Sequence, residues 1–246
     1  MLIRLTNKCR MGCKHCMIDA ASPDGEHMDK EVFFEAIEFA LKIGSKVVVI
    51  SGGEPFEHPS FFSLMGDLAF FKNHRKFRQT MFVVTSNGMF WDDQNKVVQA
   101  ERMSIPIQVT NDPRYYPQKI DLDKFSNMTD VTVEDHIRSI FPCRRTREAG
   151  IEASCKAPKC FNLRSATRQI GLRNAVAMLQ LKGKFCTPAV NIDGSIVVGE
   201  ADTCTKIGMV TDDLSLIEEN IKNVKCNRCG LRKSLSPMHL EAIGEK

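Results

Sequence analysis

Buried-strand runs alternate with helical segments along the first two-thirds of the chain. The runs Lys46–Ser51, Thr80–Thr85 and Ile105–Thr110 are rich in β-branched residues, as is typical of parallel strands that are buried on both faces. Between them, segments such as Lys30–Ile43 repeat apolar residues at helical spacing. Repeated β–α units indicate a parallel sheet with helices outside it, closed or partly closed into a barrel. The sequence therefore predicts an α/β fold that binds ligands at the carboxyl ends of its strands.

The pattern changes near residue 143, and three units are predicted: a core at 1–142, a linker or active-site segment with a helix at 143–183, and an extension at 184–246. The other predicted elements are strands at Leu2–Thr6, Val131–Val133 and Ser139–Phe141, helices at Phe61–Phe71, Asp92–Arg102, Ser165–Leu181 and Leu214–Asn223, a loop at Cys143–Arg164, and a hairpin at Ala189–Val198 that turns at Asp193-Gly194. Gly44 is the predicted C-cap of the first helix, and Asp212 and Asp213 are N-cap candidates for the last.

Composition and charge exclude few functional classes of protein. No apolar run approaches the roughly 18–20 residues that span a bilayer, and the first residues enter a strand with no signal-peptide pattern. We therefore expect a cytoplasmic protein without a membrane partner. The net charge is +4, with basic runs at Lys72–Arg78 and Arg144–Arg147. These runs favour solvated surface, and nucleic-acid binding stays open.

Ten cysteines indicate metal or cluster ligation, because disulfides are disfavoured in a reducing compartment. Cys9, Cys13 and Cys16 fall within eight residues, on the loop after the first strand. Three thiolates can hold three irons of a [4Fe–4S] cube and leave the fourth iron open to a ligand. A zinc knuckle that uses His15 as its fourth ligand is the alternative. Gly12 can supply the unusual backbone conformation that such a loop needs.

The spacing C-x3-C-x2-C directly after the first strand resembles the signature of the radical S-adenosylmethionine (SAM) superfamily. Ser51–Pro55 (SGGEP) is similar to the family's GGEP motif, Thr85–Gly88 to its TNG-type segment, and Gln108–Asp112 to its segment of contacts with ribose and carboxylate. The resemblance covers roughly residues 2–135 and implies a partial (β/α)6 TIM-like barrel. It implies a SAM site at His15, Gly52, Gly53, Glu54, Pro55, Ser86, Asn87, Thr110, Asn111 and Asp112. In this resemblance His15 lies near the adenine, and Glu54 belongs to the motif that meets the amino group of SAM.

The C-terminal cysteines Cys186, Cys204, Cys226 and Cys229 form two separated pairs, which suits a complete [4Fe–4S] or zinc shell. Their arrangement resembles the twitch, or abbreviated SPASM, extension, which implies one auxiliary [4Fe–4S] cluster. The gap from Gly194 to Cys204 is longer than the usual pattern. A zinc ribbon is the alternative.

Three more cysteines, Cys143, Cys155 and Cys160, are interpreted as structural thiols, as thiols near the substrate, or as ligands of a centre. Tyr115 and Tyr116 either shape the mouth of the site or pack.

The resemblance implies an enzyme that reductively cleaves SAM to a 5′-deoxyadenosyl radical, which abstracts hydrogen from a peptide or a small molecule. An electron donor such as flavodoxin or ferredoxin is the expected partner. A nucleotide- or RNA-modifying enzyme and a non-catalytic, zinc-binding relative are the alternatives. The sequence determines neither the substrate nor the oligomeric state.

Overall fold

The computed structural model describes residues 1–20, 23–72, 77–137, 140, 143–152, 159–181, 188–201 and 204–224, with the backbone alone at 159–161. The strands in these ranges are β1 (Leu2–Thr6), β2 (Val47–Gly52), β3 (Met81–Ser86), β4 (Ile107–Thr110), β5 (Val131–Glu134), β6 (Ala189–Val190), β7 (Ser195–Val197) and β8 (Lys206–Met209). The helices are α1 (Lys30–Lys42), α2 (Phe61–Lys72), α3 (Gln94–Glu101), α4 (Arg144–Glu148), α5 (Lys159–Ile170), α6 (Leu172–Leu181) and α7 (Leu214–Asn223). None of these helices is long and apolar enough to cross a membrane.

The described strands form one sheet in the order β5-β4-β3-β2-β1-β6-β7-β8. Neighbours from β1 to β5 are parallel, and α1, α2 and α3 lie between them in sequence. The predicted α/β class is therefore confirmed. The candidate strand Ser139–Phe141 includes residues outside the described ranges, so the sixth strand of the predicted barrel stays a prediction.

Helix α1 shows how the local sequence sets an element of the fold. Its buried residues recur at helical spacing and pack into the main core; they are Phe33, Ala36, Ile37, Phe39 and Ala40. The helix ends at Lys42 with Ile43 as its C-cap, one residue before the predicted cap. Gly44 follows with a φ of +72° and donates its N–H to Leu41 O at 3.0 Å.

The central strands differ from the prediction in one respect. The β-branched run of β2 predicts burial on both faces, but only Val48 and Ile50 are fully buried. The alternate residues Val49 and Ser51 are partly exposed. Ser51 lines a cavity, so this face of the sheet borders the ligand space described below.

Two predictions for the middle of the chain are wrong. The segment Cys143–Arg164 is not a continuous loop, since α4 lies within it and α5 begins at Lys159. The predicted helix Ser165–Leu181 is divided between α5 and α6, because Gly171 adopts a φ of +76°. Glu218 of α7 accepts the N–H of Leu172 at 3.2 Å and so caps the second helix.

The predicted hairpin is confirmed as β6 and β7, which are antiparallel. Its turn adopts the expected geometry, with Gly194 at a φ of +78° and Asp193 Oδ1 accepting from Ser195 N at 2.9 Å. Strand β6 pairs with β1 in parallel, so the hairpin continues the sheet of the first unit and shares its core. Helix α7 is confirmed, with Asp213 at its N-cap, although no side-chain capping bond forms there. The three-unit division at 142 and 183 stays a prediction.

Candidate active site

A cavity of about 270 Å³ lies where the cysteine loop meets the strand ends. The predicted site residues that line it are Cys9, Cys13, His15, Cys16, Gly52, Gly53, Ser86, Asn87 and Thr110. The other predicted residues of the SAM site are buried beside this wall and not on it: Glu54, Pro55, Asn111 and Asp112. The structure thus brings the cysteine loop and three strand-end segments together, as parallel strands that end at one edge require.

The cysteine loop follows β1 directly. Cys9 is buried, whereas Cys13 and Cys16 are partly exposed. Gly12 has a φ of +67°, a left-handed conformation that costs other residues about 1–2 kcal/mol. The expected role of Gly12 in turning the chain between the first two cysteines is confirmed.

N–H donors approach two of the sulfur atoms. Ala20 N lies 3.3 Å from Cys16 Sγ, and Asn87 Nδ2 lies 3.6 Å from Cys9 Sγ. Burial raises the pKa of all three thiols, so they stay protonated until a metal cation displaces the proton. Donors of this kind stabilise a sulfur atom that carries negative charge.

The spacing of the ligand side chains bears on the choice between zinc and a cluster. Within the described ranges, no three His, Cys, Asp or Glu side chains lie close enough together to hold a single metal ion. A zinc knuckle needs four such groups around one ion. A cube binds each thiolate through a different iron, so its ligands can lie farther apart.

Two glycines allow the end of β2 to touch the segment that leads into the cysteine loop. Gly53 donates its N–H to Thr6 O at 2.6 Å, and Glu54 donates to Lys8 O at 2.8 Å. A Cβ atom on Gly52 would lie 2.4 Å from Thr6 O, and one on Gly53 would lie 2.2 Å from Lys8 O. Any larger residue would therefore separate the two segments.

Glu54 joins the ends of β2 and β3 from behind the cavity wall. Its carboxylate accepts from Ser86 Oγ at 2.8 Å, from Asn87 N at 2.9 Å and from Phe56 N at 3.3 Å. Burial raises its pKa to about 7, against the opposing effect of these hydrogen bonds. Pro55 begins a short 3-10 turn beside it. Glu54 thus positions Asn87, which does reach the wall.

His15 lies between two tyrosine rings, at centroid distances of 5.3 Å from Tyr115 and 5.2 Å from Tyr116. Burial lowers the pKa of His15 to about 4, so the ring is neutral at pH 7. Tyr116 also lines the cavity, and its hydroxyl lies 2.9 Å from Thr110 Oγ1. Both predicted roles of the tyrosines occur, since Tyr115 packs on His15 and Tyr116 forms part of the wall.

The predicted segment Gln108–Asp112 contributes one residue to the cavity wall and two to the structure behind it. Thr110 lines the cavity, whereas the Asn111 side chain donates to Gln118 O at 3.1 Å. Asp112 forms an ion pair with Arg114 and accepts from Ile137 N at 2.8 Å. Hydrogen bonds from Arg114 hold the pKa of Asp112 well below its usual range. Asn111 and Asp112 therefore shape the loops around the cavity.

The family model described as the radical SAM superfamily matches residues 3–155, which is more than half of the chain. The chain belongs to the radical SAM superfamily. No curated protein sequence matches the chain. Members of this superfamily are enzymes that use a [4Fe–4S] cluster and SAM, so this radical SAM protein is an enzyme with those cofactors.

Solved structures of radical SAM type match the fold at low sequence identity. BtrN in complex with AdoMet and 2-DOIA has a TM-score of 0.56 and 12% identity, over 98% of this chain and 88% of that chain. The enzyme anSMEcpe with bound AdoMet and the Cp18Cys peptide has a TM-score of 0.53 and 14% identity, over 96% and 84%. Streptococcus suis SuiB bound to its precursor peptide SuiA has a TM-score of 0.51 and 14% identity, over 94% and 69%. These matches confirm the partial TIM-like barrel and, at such identities, show the fold alone.

The cavity of this radical SAM protein fits the superfamily cofactors. Three sulfur atoms from one loop stand on its wall, and a cube with three protein ligands keeps one iron for another molecule. The close-packed glycines at the end of β2 expose backbone on the same wall. Cys9, Cys13 and Cys16 would therefore hold the cluster, and the adjoining strand ends would hold SAM.

The proposed auxiliary ligands are only partly described. Cys204 is partly buried beside the hairpin, where a Cβ atom on Gly199 would lie 2.9 Å from its Sγ. Cys186, Cys226 and Cys229 lie outside the described residues, as does Cys155, and of Cys160 only the backbone in α5 is described. The auxiliary cluster stays a prediction.

The sequence left the place of Cys143 open and assigned the basic run Arg144–Arg147 to the solvated surface, whereas both contact the cysteine loop. Cys143 is buried, with its Sγ 3.2 Å from Cys16 O. Arg145 donates to Cys13 O at 3.1 Å and pairs with Asp19. The available signal was charge, because the basic run at Arg144–Arg147 can face Asp19, the acidic residue of the loop.

Proposed function

We propose that this enzyme reductively cleaves SAM in the cavity between the cysteine loop and the strand ends, and that the resulting 5′-deoxyadenosyl radical abstracts a hydrogen atom from a peptide or small-molecule substrate. One observation carries the proposal: three loop thiols, the glycines after β2 and Asn87 after β3 line the same cavity. When bound, the cluster supplies the electron for cleavage of the sulfonium.

The chain's own residues bind, orient and exclude water. Asn87 donates to Cys9 Sγ and so favours the ligating, charged form of that sulfur. Gly52 and Gly53 expose backbone on the cavity wall, where SAM can contact it. The neutral His15 ring, packed on two tyrosines, offers an aromatic surface to the adenine. Thr110 and Tyr116 also place hydroxyl groups at the cavity, for polar parts of the nucleoside.

The substrate proposal is an oxidative modification of a peptide or a small molecule. Of the three structures compared above, two carry peptides and one carries 2-DOIA, which supports either class. An auxiliary [4Fe–4S] cluster on Cys186, Cys204, Cys226 and Cys229 would accept the electron that the substrate radical loses. Flavodoxin or ferredoxin would deliver the first electron.

The test is anaerobic reconstitution with iron and sulfide, followed by SAM and dithionite. We expect 5′-deoxyadenosine by chromatography, and none from the Cys9→Ala/Cys13→Ala/Cys16→Ala triple variant. A reconstituted protein that forms no 5′-deoxyadenosine would contradict the proposal. Gly66→Ala is the matched control, because a Cβ atom at this exposed helical position meets nothing within 4 Å.

Iron and sulfide analysis of the same triple variant tests the auxiliary cluster. We expect the variant to keep part of the iron and sulfide of the wild-type protein, because the four proposed auxiliary ligands remain. Complete loss of both elements would leave no second cluster.

A further inference from the structure

Helix α4 reaches back to the cysteine loop through several side chains. Arg145 Nη1 donates to Cys13 O at 3.1 Å, and its Nε pairs with Asp19 Oδ1. Arg144 Nη2 pairs with the other oxygen of Asp19 at 3.0 Å. Cys143 Sγ lies 3.2 Å from Cys16 O. Both ends of the segment from Cys13 to Asp19 are therefore tied to α4.

The loop needs such ties, because its backbone is held in an unfavourable conformation. Asp19 adopts a φ of +55°, a left-handed conformation that is less favourable than the right-handed one for residues other than glycine. Two arginines on its carboxylate offset this cost. Arg145 is the member of the pair that also contacts a ligand residue, through the carbonyl of Cys13.

Arg145 also brings a cation to the cysteine loop, where its Nη1 contacts the backbone of Cys13. Its side chain is 21% exposed, against 62% for Arg144, so water screens its charge less. Its charge interacts with the sulfur atoms of both Cys13 and Cys16. A cluster on three thiolates becomes one unit more negative when a reductant gives it one electron, and a nearby fixed cation favours that state.

We propose that Arg145 is a positioning residue of the cluster site: it holds the loop in its ligating shape and raises the reduction potential of the cluster. This inference rests on the proposed function, since it presumes a cluster on Cys9, Cys13 and Cys16. It concerns a residue outside the cysteine and glycine motifs, contributed by the segment that sequence reasoning had interpreted as a loop.

The test compares Arg145→Gln, Arg145→Lys and the control Arg147→Gln in the reconstituted full chain. Arg147 carries the same charge on the same helix and donates to Cys143 O at 3.3 Å, and among the described residues none of its hydrogen bonds reaches the loop. The readouts are an EPR-monitored redox titration of the N-terminal cluster and the rate of iron release to a ferrous chelator. Neither readout requires SAM cleavage.

For Arg145→Gln we expect about a tenfold lower ratio of reduced to oxidised cluster at a fixed potential, a shift of about 59 mV for a one-electron couple. Lysine keeps the charge but not the two-pronged geometry, so Arg145→Lys should retain the potential and release iron faster. Arg147→Gln should match the wild type in both readouts. Arg145→Gln that folds but takes up no cluster also supports the proposal, provided that Arg147→Gln takes it up.

An unchanged potential in Arg145→Gln would overturn the inference while leaving SAM cleavage intact. If Arg145→Gln fails to fold by circular dichroism, Arg145→Lys decides, and wild-type iron release from that variant would overturn the inference. A wild-type protein that binds no cluster on the loop would instead overturn the proposed function, and with it this inference.

Discussion

The contact between the end of β2 and the cysteine loop makes a prediction that can be worked out from the backbone alone. Replacement of Gly53 by alanine would place a Cβ atom 2.2 Å from Lys8 O and 2.7 Å from Lys8 C. Both neighbours are backbone atoms, so no side chain can rotate out of the way. The two segments must separate, and the bonds Gly53 N to Thr6 O and Glu54 N to Lys8 O must lengthen or break.

The magnitude follows from these two bonds. A donor that loses its partner costs about 1–3 kcal/mol, so the loss of both bonds in Gly53→Ala should lower the free energy of unfolding of the apoprotein by about 2–6 kcal/mol. The matched control is Gly66→Ala in the exposed face of α2, where a Cβ atom meets nothing within 4 Å. That change should raise the free energy of unfolding by about 0.5–1 kcal/mol.

Urea denaturation of both apoproteins, followed by circular dichroism, measures the difference. With a slope of about 2–3 kcal/mol per molar urea, the midpoint of Gly53→Ala should fall by about 1–2 M and that of Gly66→Ala should rise. Gly53→Ala should also bind less iron on reconstitution, because Lys8 leads directly into Cys9. A midpoint for Gly53→Ala at or above the wild-type value would refute the reasoning.

Three further predictions concern single positions. The pKa of Glu54 is raised from 4.5 to about 7 on folding, so between these pH values the folded state binds more protons than the unfolded state, and the stability of the apoprotein should fall as the pH rises. Urea midpoints measured across this pH range should depend less on pH in Glu54→Gln than in the wild type. An equal pH dependence of the two proteins would contradict the raised pKa. Arg114 lowers the pKa of Asp112, so Asp112→Asn should be less stable than the wild type at neutral pH. The difference in stability between the two proteins should become smaller below about pH 4 in acid-unfolding curves, and a difference that is independent of pH would count against the ion pair. In Gly171→Ala the added methyl group has room, because the nearest atom, Glu218 Oε1, is 3.9 Å away, but the φ of +76° is unfavourable for alanine. Calorimetry should show that the free energy of unfolding falls by about 1 kcal/mol, and a rise would contradict the assigned backbone strain.

Much of the fold follows from patterns that are local in sequence. The bounds of β1 and α7 coincide with their predictions, and α1 ends one residue before its predicted end, because the pattern of apolar residues and the cap signals are local to each element. The division between α5 and α6 was also readable, since Gly171 interrupts the apolar pattern. Helix α4 was not, because its five residues depend on distant partners at Cys13 and Asp19.

The candidate site shows the same limit. Sequence motifs place the cysteine loop and the strand ends at one edge of the sheet, and the structure brings Cys9, Gly53 and Asn87 to one cavity. The motifs do not reveal which polar side chains form hydrogen bonds within the protein and so are not exposed in the cavity. Glu54 and Asp112 are both occupied by neighbouring donors, and only the tertiary structure identifies those donors.

The central claim is that the cysteine loop holds a cluster with an iron open to SAM. The most direct measurement is the EPR spectrum of the dithionite-reduced protein before and after addition of SAM, compared with the Cys9→Ala/Cys13→Ala/Cys16→Ala variant. We expect a signal that is absent from the variant and that changes when SAM binds. A loop-dependent signal that saturating SAM leaves unchanged, or no loop-dependent signal at all, would contradict it.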